Sequence, residues 1–535
     1  MKSKVMNIAF AIALLIAGKV LAQSDPPKDW FNLDPQESHV NGMSTEKAYE
    51  YLKGRESKTV IVAVIDSGID IEHEDLKDVI WTNPKEIAGN GIDDDNNGYV
   101  DDVHGWNFIG GKDGRNVGPD TYEVTREYKK LLPEYENKKP SKKADYKYWV
   151  SVRDAYMEDA QEAKAQYYFY DSLRSSILRY NKLMTAYLNV DKLSEENLKT
   201  VKSGDPLIQL AAGFMSNLVY RVGDMDMEEV ASSLDKAVDH YGTQANYSYN
   251  LEYNSREIVG DDTTNLKEVG YGNNDVIGRG TDYFHGTHVA GIIGAKRGNG
   301  IGIDGVADNV RIMAVRTVPD GDERDKDVAN AIRYAVDNGA QIINMSFGKA
   351  FSPDKAYVDE AVKYAESKGV LLVHAAGNSG EDTDEENNFP TKKLDKGKVA
   401  GNWLEVGASA WGEGDKLAAS FSNYGKKNVD LFAPGVQIYS TAPGNEYKNA
   451  QGTSMASPAA AGVAALLLSY FPNLQPDDLK DILMSSVRTF DGLMVNKPGA
   501  KGEKIDFSEL SASGGIVNAY EAVKLADSRK LAQNK

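Results

Sequence analysis

A carboxylate, an imidazole and a hydroxyl stand in this sequence inside three short runs. These are Val64-Ile65-Asp66-Ser67-Gly68, His285-Gly286-Thr287-His288-Val289-Ala290-Gly291 and Gly452-Thr453-Ser454-Met455-Ala456-Ser457-Pro458. Nucleophilic attack on an acyl group needs these side-chain types: a hydroxyl to attack, an imidazole to take its proton and a carboxylate to hold that imidazole in one tautomer. Singly, Asp66 reads equally well as a capping carboxylate, His285 as a loop histidine and Ser454 as a helix N-cap; their conjunction points to chemistry. His288 follows His285 by three residues, a spacing that could ligate a metal. No third His and no Cys pattern supports zinc, so His288 is read as structural and Met455 as packing.

The elements that must carry these groups are visible in the pattern around them. Residues 59–65, 311–315, 341–345 and 370–373 are largely apolar runs, and between them lie helical stretches such as 329–338 and 357–368, each closed by a Gly. This βα rhythm predicts a parallel α/β sheet flanked by helices on both faces. Asp66 falls at the carboxyl edge of its strand, where such sheets form their sites. Residues 121–271 break the rhythm and hold 17 of the 29 Tyr. Within them Phe169, Leu173, Ile177, Tyr180, Met184 and Tyr187 recur at helical spacing, which predicts one apolar face of a long helix in a large helical insertion. The boundaries expected are 1–22 for a leader, 23–57 for an N-terminal segment, 58–114 and 271–524 for the two parts of a catalytic domain, 115–270 for the insertion and 525–535 for a tail.

The three runs, in this order, resemble those of the subtilisin-like serine peptidases, or subtilases, whose triad runs Asp, His, Ser along the chain. The resemblance implies the subtilisin-like α/β fold and serine endopeptidase activity, with Asp66 as orienting carboxylate, His285 as general base and then acid, and Ser454 as nucleophile. A fourth run, Ala375-Ala376-Gly377-Asn378-Ser379-Gly380, follows a buried strand. By resemblance the Asn378 amide and the Ser454 backbone N–H donate to the oxyanion. Ser346, Phe347 and Gly348 align with the segment that pairs with substrate as an extra strand, and with Ala376 and Gly377 they should wall the specificity pocket. Asp66 and His285 lie 219 residues apart, far more than is usual in subtilases, whereas the 169 from His285 to Ser454 are close to usual. Residues 23–57 are short for an inhibitory prodomain, so either the chain folds without one or the inserted helices take that part. A catalytically silent relative acting as a binding module, and an esterase or peptide ligase on the same triad, share these ingredients.

Calcium has two handles. Asp93, Asp95 and Asn97 with Gly98, the Tyr99 carbonyl and Asp101 match the first nine positions of an EF-hand-type loop, with His104 at position twelve where a bidentate Glu is expected. Asp75 and Asn299, with the carbonyls of Ile301 and Ile303, resemble the ligands of the strong subtilisin calcium site, although Arg297 stands at another of its positions. Structural Ca²⁺ is therefore the expected cofactor.

The 535 residues carry 61 Lys+Arg against 80 Asp+Glu, a net charge of −19 that repels phosphate backbones and anionic lipid, so nucleic acid is not an expected partner, and the resemblance implies polypeptide substrates. Cys is absent, which removes disulfides, thiolate metal sites and cysteine nucleophiles. Lys2 and Lys4, the apolar run from Ile8 to Leu21 and Val20-Leu21-Ala22 read as an export signal cleaved after Ala22. No later stretch reads as long and apolar enough to span a bilayer. The expected location is the periplasm or the medium, with the oligomeric state open.

Overall fold

The computed structural model describes residues 26–136, 143–223, 225–278 and 283–533. Residues 1–22, read from the sequence as an expected leader, lie outside them. The chain divides into two compact units, one of Pro26–Glu123 and Asn254–Lys535 and one that, over the described residues, is Val124–Tyr253.

The first unit is built on a nine-stranded sheet. Along the chain the strands are β1 (Val60–Asp66), β2 (Gly105–Asn107), β3 (Val310–Arg316), β4 (Ile342–Met345), β5 (Leu371–Ala375), β6 (Trp403–Ser409), β7 (Leu431–Pro434), the hairpin β8 (Ile438–Ala442) and β9 (Glu446–Ala450), β10 (Arg488–Thr489), the pair β11 (Met494–Asn496) and β12 (Lys504–Asp506), and β13 (Gly515–Ile516). The sheet runs β10-β13-β7-β6-β5-β4-β1-β3-β2, and every pairing in it is parallel except β10 with β13.

Strand β1 reads Val-Ile-Val-Ala-Val-Ile-Asp and is buried at all but one position, so it shows no polar alternation. Its side chains still alternate between faces. Val60, Val62 and Val64 join one core with Val289, Ile292 and Ile293 of helix α1 (Phe284–Gly294), while Ala63 and Ile65 join another with Val328, Ile332 and Ala335 of α2 (Asp325–Asp337) and Val358, Ala361 and Val362 of α3 (Lys355–Ser367). Helix α4 (Thr453–Tyr470) runs into the first core. Contrary to the sequence reading, this helix has the length and mean hydropathy, 1.2, of a bilayer span, but 89% of that window is buried inside the unit. Its Ala-rich composition lets it pack closely under the sheet, which is a reason for apolarity independent of lipid.

The N-terminal segment is part of this core. Trp30, Phe31, Met43, Ala48 and Leu52 are buried in it, and the Trp30 indole N–H donates to the Gln437 carbonyl at 3.1 Å. Residues on both sides of the insertion also belong to this unit: Val117 N–H donates to Ile109, Asp120 N–H to Asp320, and the Arg256 guanidinium pairs with Asp327 at 2.7 Å. Composition changes before the fold does, which places the unit boundary several residues inside 115–270.

The second unit is helical. A 46-residue helix, Lys143–Leu188, buries Leu173, Ile177 and Met184 against Ala211, Met215, Leu218 and Val219 of the helix Pro206–Val222, and against Val230 and Leu234. Phe169 and Tyr180 pack at the margin of that cluster, and Tyr187 is exposed. Near the unit's root the Thr125 hydroxyl donates to the Ser248 carbonyl at 2.8 Å, so the entering and leaving strands of chain lie side by side.

Candidate active site

Strand β1 ends at Asp66, which is buried and in register with Arg316 of β3. Gly68 has φ +119, and a Cβ there would fall 2.4 Å from the Ile277 carbonyl oxygen. A Cβ on Gly286 would fall 2.2 Å from the Gly68 carbonyl oxygen and 3.1 Å from Asp66 Cβ. The two glycines therefore let the start of α1 touch the end of β1, which is what carries a residue 219 positions away to Asp66.

At that contact His285 Nδ1 lies 2.7 Å from Asp66 Oδ1. With Nδ1–H donating to the carboxylate, Nε2 is left as an acceptor. Asp66 Oδ1 also accepts from Ser67 N–H at 2.8 Å, while Oδ2 is buried without a hydrogen bond among the described residues. Burial opposes a charge on the imidazole, but the charge of Asp66 and its hydrogen bond together outweigh it, so the His285 pKa is raised. Behind this turn the buried Arg316 donates from Nε to the Ser67 carbonyl at 2.8 Å and from a terminal nitrogen to the Val117 carbonyl at 2.9 Å.

Ser454 is the second residue of α4, where the helix dipole presents its positive end. Its hydroxyl donates to the Ser346 carbonyl at 3.1 Å. The Ser346 hydroxyl in turn donates to the Ser454 carbonyl at 2.9 Å and accepts from Asn344 Nδ2 at 2.9 Å, which ties the end of β4 to the start of α4. Asn378 Oδ1 accepts from Thr453 N–H at 2.8 Å and from the Thr453 hydroxyl at 3.1 Å. That assigns the amide: its oxygen is engaged, and its NH₂ has no acceptor among the described residues. Asn378, Ser454, Thr453, Ser346, Phe347, Gly348 and Gly377 line one cavity of about 230 Å³. Ala375 lines it too, whereas Ala376 turns its methyl into the core beside Leu417 and Phe432, because neighbouring residues on an extended segment face opposite sides.

His288 lies about one turn further along α1. Its Nε2 bonds the carbonyls of Ile438 and Lys448 at 3.1 and 2.9 Å, and burial pushes its pKa down to about 4, so it is a neutral clasp for the β8–β9 hairpin. Met455 is buried in the core.

In the acidic loop, Asn97 N–H donates to Asp93 Oδ1 and Asp95 Oδ1, and Gly98 N–H to Asp93 Oδ2. Glu86 joins Asp93 and Asp95 with one ligand oxygen each, all within 4.8 Å of one another, and Glu86 Oε2 is buried without a partner among the described residues. Asp101 instead accepts from the backbone of Asn90 and Gly91, the Tyr99 ring is buried against Trp106, and His104 Nδ1 bonds the Trp81 carbonyl. Asp75 and Asn299 meet directly: Asn299 Nδ2 donates to Asp75 Oδ1 at 2.6 Å, and Asp75 Oδ2 accepts from Ile303 N–H at 3.3 Å and the Tyr447 hydroxyl at 3.4 Å. Ile301 N–H donates to Asn299 Oδ1, and Arg297 reaches the Gly305 carbonyl and Glu46. The two side chains that the sequence reading pairs thus meet, bonded to each other in this structure.

The subtilase family model matches residues 57–504. The chain belongs to the subtilase family. Its curated relatives include the thermophilic serine proteinase of Bacillus sp. (strain AK1), 47% identical over 35% of this chain and 42% of that one, and subtilisin DY of Bacillus licheniformis, 38% identical over 38% of this chain and 69% of that one. Among solved structures, a protease of Pseudoalteromonas arctica aligns at 31% identity over 45% of this chain and 70% of its own, with a TM-score of 0.38. The alignment thus spans less than half the length of the AK1 proteinase.

Several groups at this subtilase's site escaped the motif reading. Thr453, which fixes the Asn378 amide, stood inside the Gly-Thr-Ser run and was legible there. Glu86 lies seven residues before Asp93, outside any EF-hand spacing, and Asn388 and Glu381 at the cavity lie in a polar loop with no motif of their own.

Proposed function

We propose that this chain is an exported serine endopeptidase that cleaves peptide bonds through an acyl-enzyme, with Asp66, His285 and Ser454 as its triad. The observation that carries the reading is the 2.7 Å bond between Asp66 and His285, two residues 219 positions apart, at the sheet edge that also bears Ser454 and Asn378. The apolar leader supports export.

An extended substrate that pairs with residues 346–348 brings N–H donors that compete for the Ser346 carbonyl. The Ser454 hydroxyl then turns to His285 Nε2, which takes its proton as Oγ attacks the scissile carbonyl. The Asn378 NH₂ and the Ser454 N–H stabilise the oxyanion. His285 next protonates the leaving amine, and water, deprotonated by the same imidazole, releases the acyl group. Asp66 holds the imidazole in its tautomer and stabilises the imidazolium.

Structural calcium fits the first acidic loop. Glu86, Asp93 and Asp95 would hold it, and the buried, unpartnered Glu86 Oε2 is the atom that a cation would satisfy. Its contribution there is to fold the loop.

Hydrolysis of an unstructured peptide tests the reading. Wild type should cleave it and Ser454→Ala should not. Equal cleavage by both would sink it.

A further inference from the structure

We propose that the cavity beside Ser454 selects lysine or arginine as the residue whose carbonyl is attacked, the P1 residue. This rests on the peptidase reading and adds the substrate class. Three features carry it. First, the floor of the cavity is an amide. A Cβ on Gly348 would fall 2.4 Å from Asn388 Oδ1, so the Asn388 side chain fills the room that this glycine leaves, while the room at Gly377 is taken by Asn423, whose Nδ2 would lie 2.4 Å from a Cβ there. Its Nδ2 donates to the Ala375 carbonyl at 3.2 Å, which leaves Oδ1 as the acceptor. Second, Glu381 lines the same cavity on a backbone held at both ends: its N–H donates to Asn423 Oδ1 and its carbonyl accepts from Tyr424 N–H, each at 3.0 Å. Among the described residues no cation pairs with its carboxylate. Third, Lys349, the lysine lining the cavity, is already neutralised. Its Nζ lies 2.6 Å from Glu123 and 2.8 Å from Asp325, and it donates to the Glu323 carbonyl.

The cavity therefore offers acceptors and a negative charge that no unpaired cation on its described lining matches, while the Asn378 NH₂ is the donor assigned to the oxyanion. Asn423 does not change this balance, since its Nδ2 donates to the Ala376 carbonyl and its Oδ1 accepts from Ser379 and Glu381. A P1 ammonium or guanidinium on a long aliphatic stem supplies what is missing, with the stem beside Phe347 and Ala350 and the cation at Glu381 and Asn388. An acidic P1 residue meets Glu381 with like charge, and a large aromatic ring meets the Asn388 amide.

The test is a peptide series differing only at P1, as Lys, Arg, Leu, Phe or Glu, with kcat/KM normalised to Ser454 titrated by a fluorophosphonate. Lys and Arg should lead, with Glu lowest. Glu381→Gln, at an exposed position, should cut the Lys to Leu ratio roughly three- to tenfold. Asn388→Gly should raise the Phe to Lys ratio. A fully titrated enzyme that prefers Phe or Leu, or a Lys to Leu ratio unmoved by Glu381→Gln, overturns the P1 assignment and leaves the peptidase reading standing. A wild-type protein that takes no fluorophosphonate overturns both.

Discussion

At rest the Ser454 hydroxyl donates to the Ser346 carbonyl, so on the proposed mechanism proton transfer to His285 would begin with a rotation of that hydroxyl. Because the three triad side chains act as a unit, Ser454→Ala and His285→Ala should each abolish nearly all turnover, and the double variant should be hardly worse, as in subtilisin. Asn378→Ala should lower kcat roughly 10²- to 10³-fold with KM little changed, the loss seen when the equivalent donor is removed from a subtilisin. The pH profile follows from Asp66. The base works only as neutral imidazole, and Asp66 raises the folded pKa above 6.5, so kcat/KM should fall as pH drops through that raised value. Asp66→Asn removes the charge and should move the acid limb to lower pH while the plateau drops; an unmoved limb would mean another group titrates. Single residues were also where sequence was most informative. Asp66, His285 and Ser454 stood in dense motifs, whereas Glu86 and Asn388 are brought in by loop geometry that no local spacing encodes.

Among the elements, the strands were legible because burial on both faces demands unbroken β-branched runs, and β1, β3, β4 and β5 lie where such runs stand. Helix α4 was open to two readings, since a core helix and a bilayer span share the same apolarity. The α1 start is held against β1 by Gly286, so Gly286→Ala, whose methyl would overlap the Gly68 carbonyl, should lose activity and lower Tm together. The acidic loop should respond to metal. Carboxylates of Glu86, Asp93 and Asp95 repel one another when empty, so calcium should raise Tm and chelation should lower it, and Glu86→Gln should weaken that response. A Tm indifferent to calcium and chelator would remove the metal proposal.

For the whole molecule, the helical unit keeps its own core at Ile177, Met184, Met215 and Leu218, and its root is narrow where Thr125 meets Ser248. Replacing residues 124–253 with a short Gly/Ser linker adds little loop-closure cost and should leave a folded protein with an intact site, read by its melting transition and peptide hydrolysis. Removing residues 26–43 should do the opposite, since Trp30, Phe31 and Met43 are core residues and not a detachable leader. Their burial was not legible because a short segment without periodicity gives no sign of the partner it packs on. The measurement that bears most directly on the triad is the intact mass of the protein after exposure to a fluorophosphonate, followed by peptide mapping. The account predicts one adduct per chain, located on Ser454 and absent from Ser454→Ala and His285→Ala. An adduct elsewhere, or none on a folded wild-type protein, would contradict it.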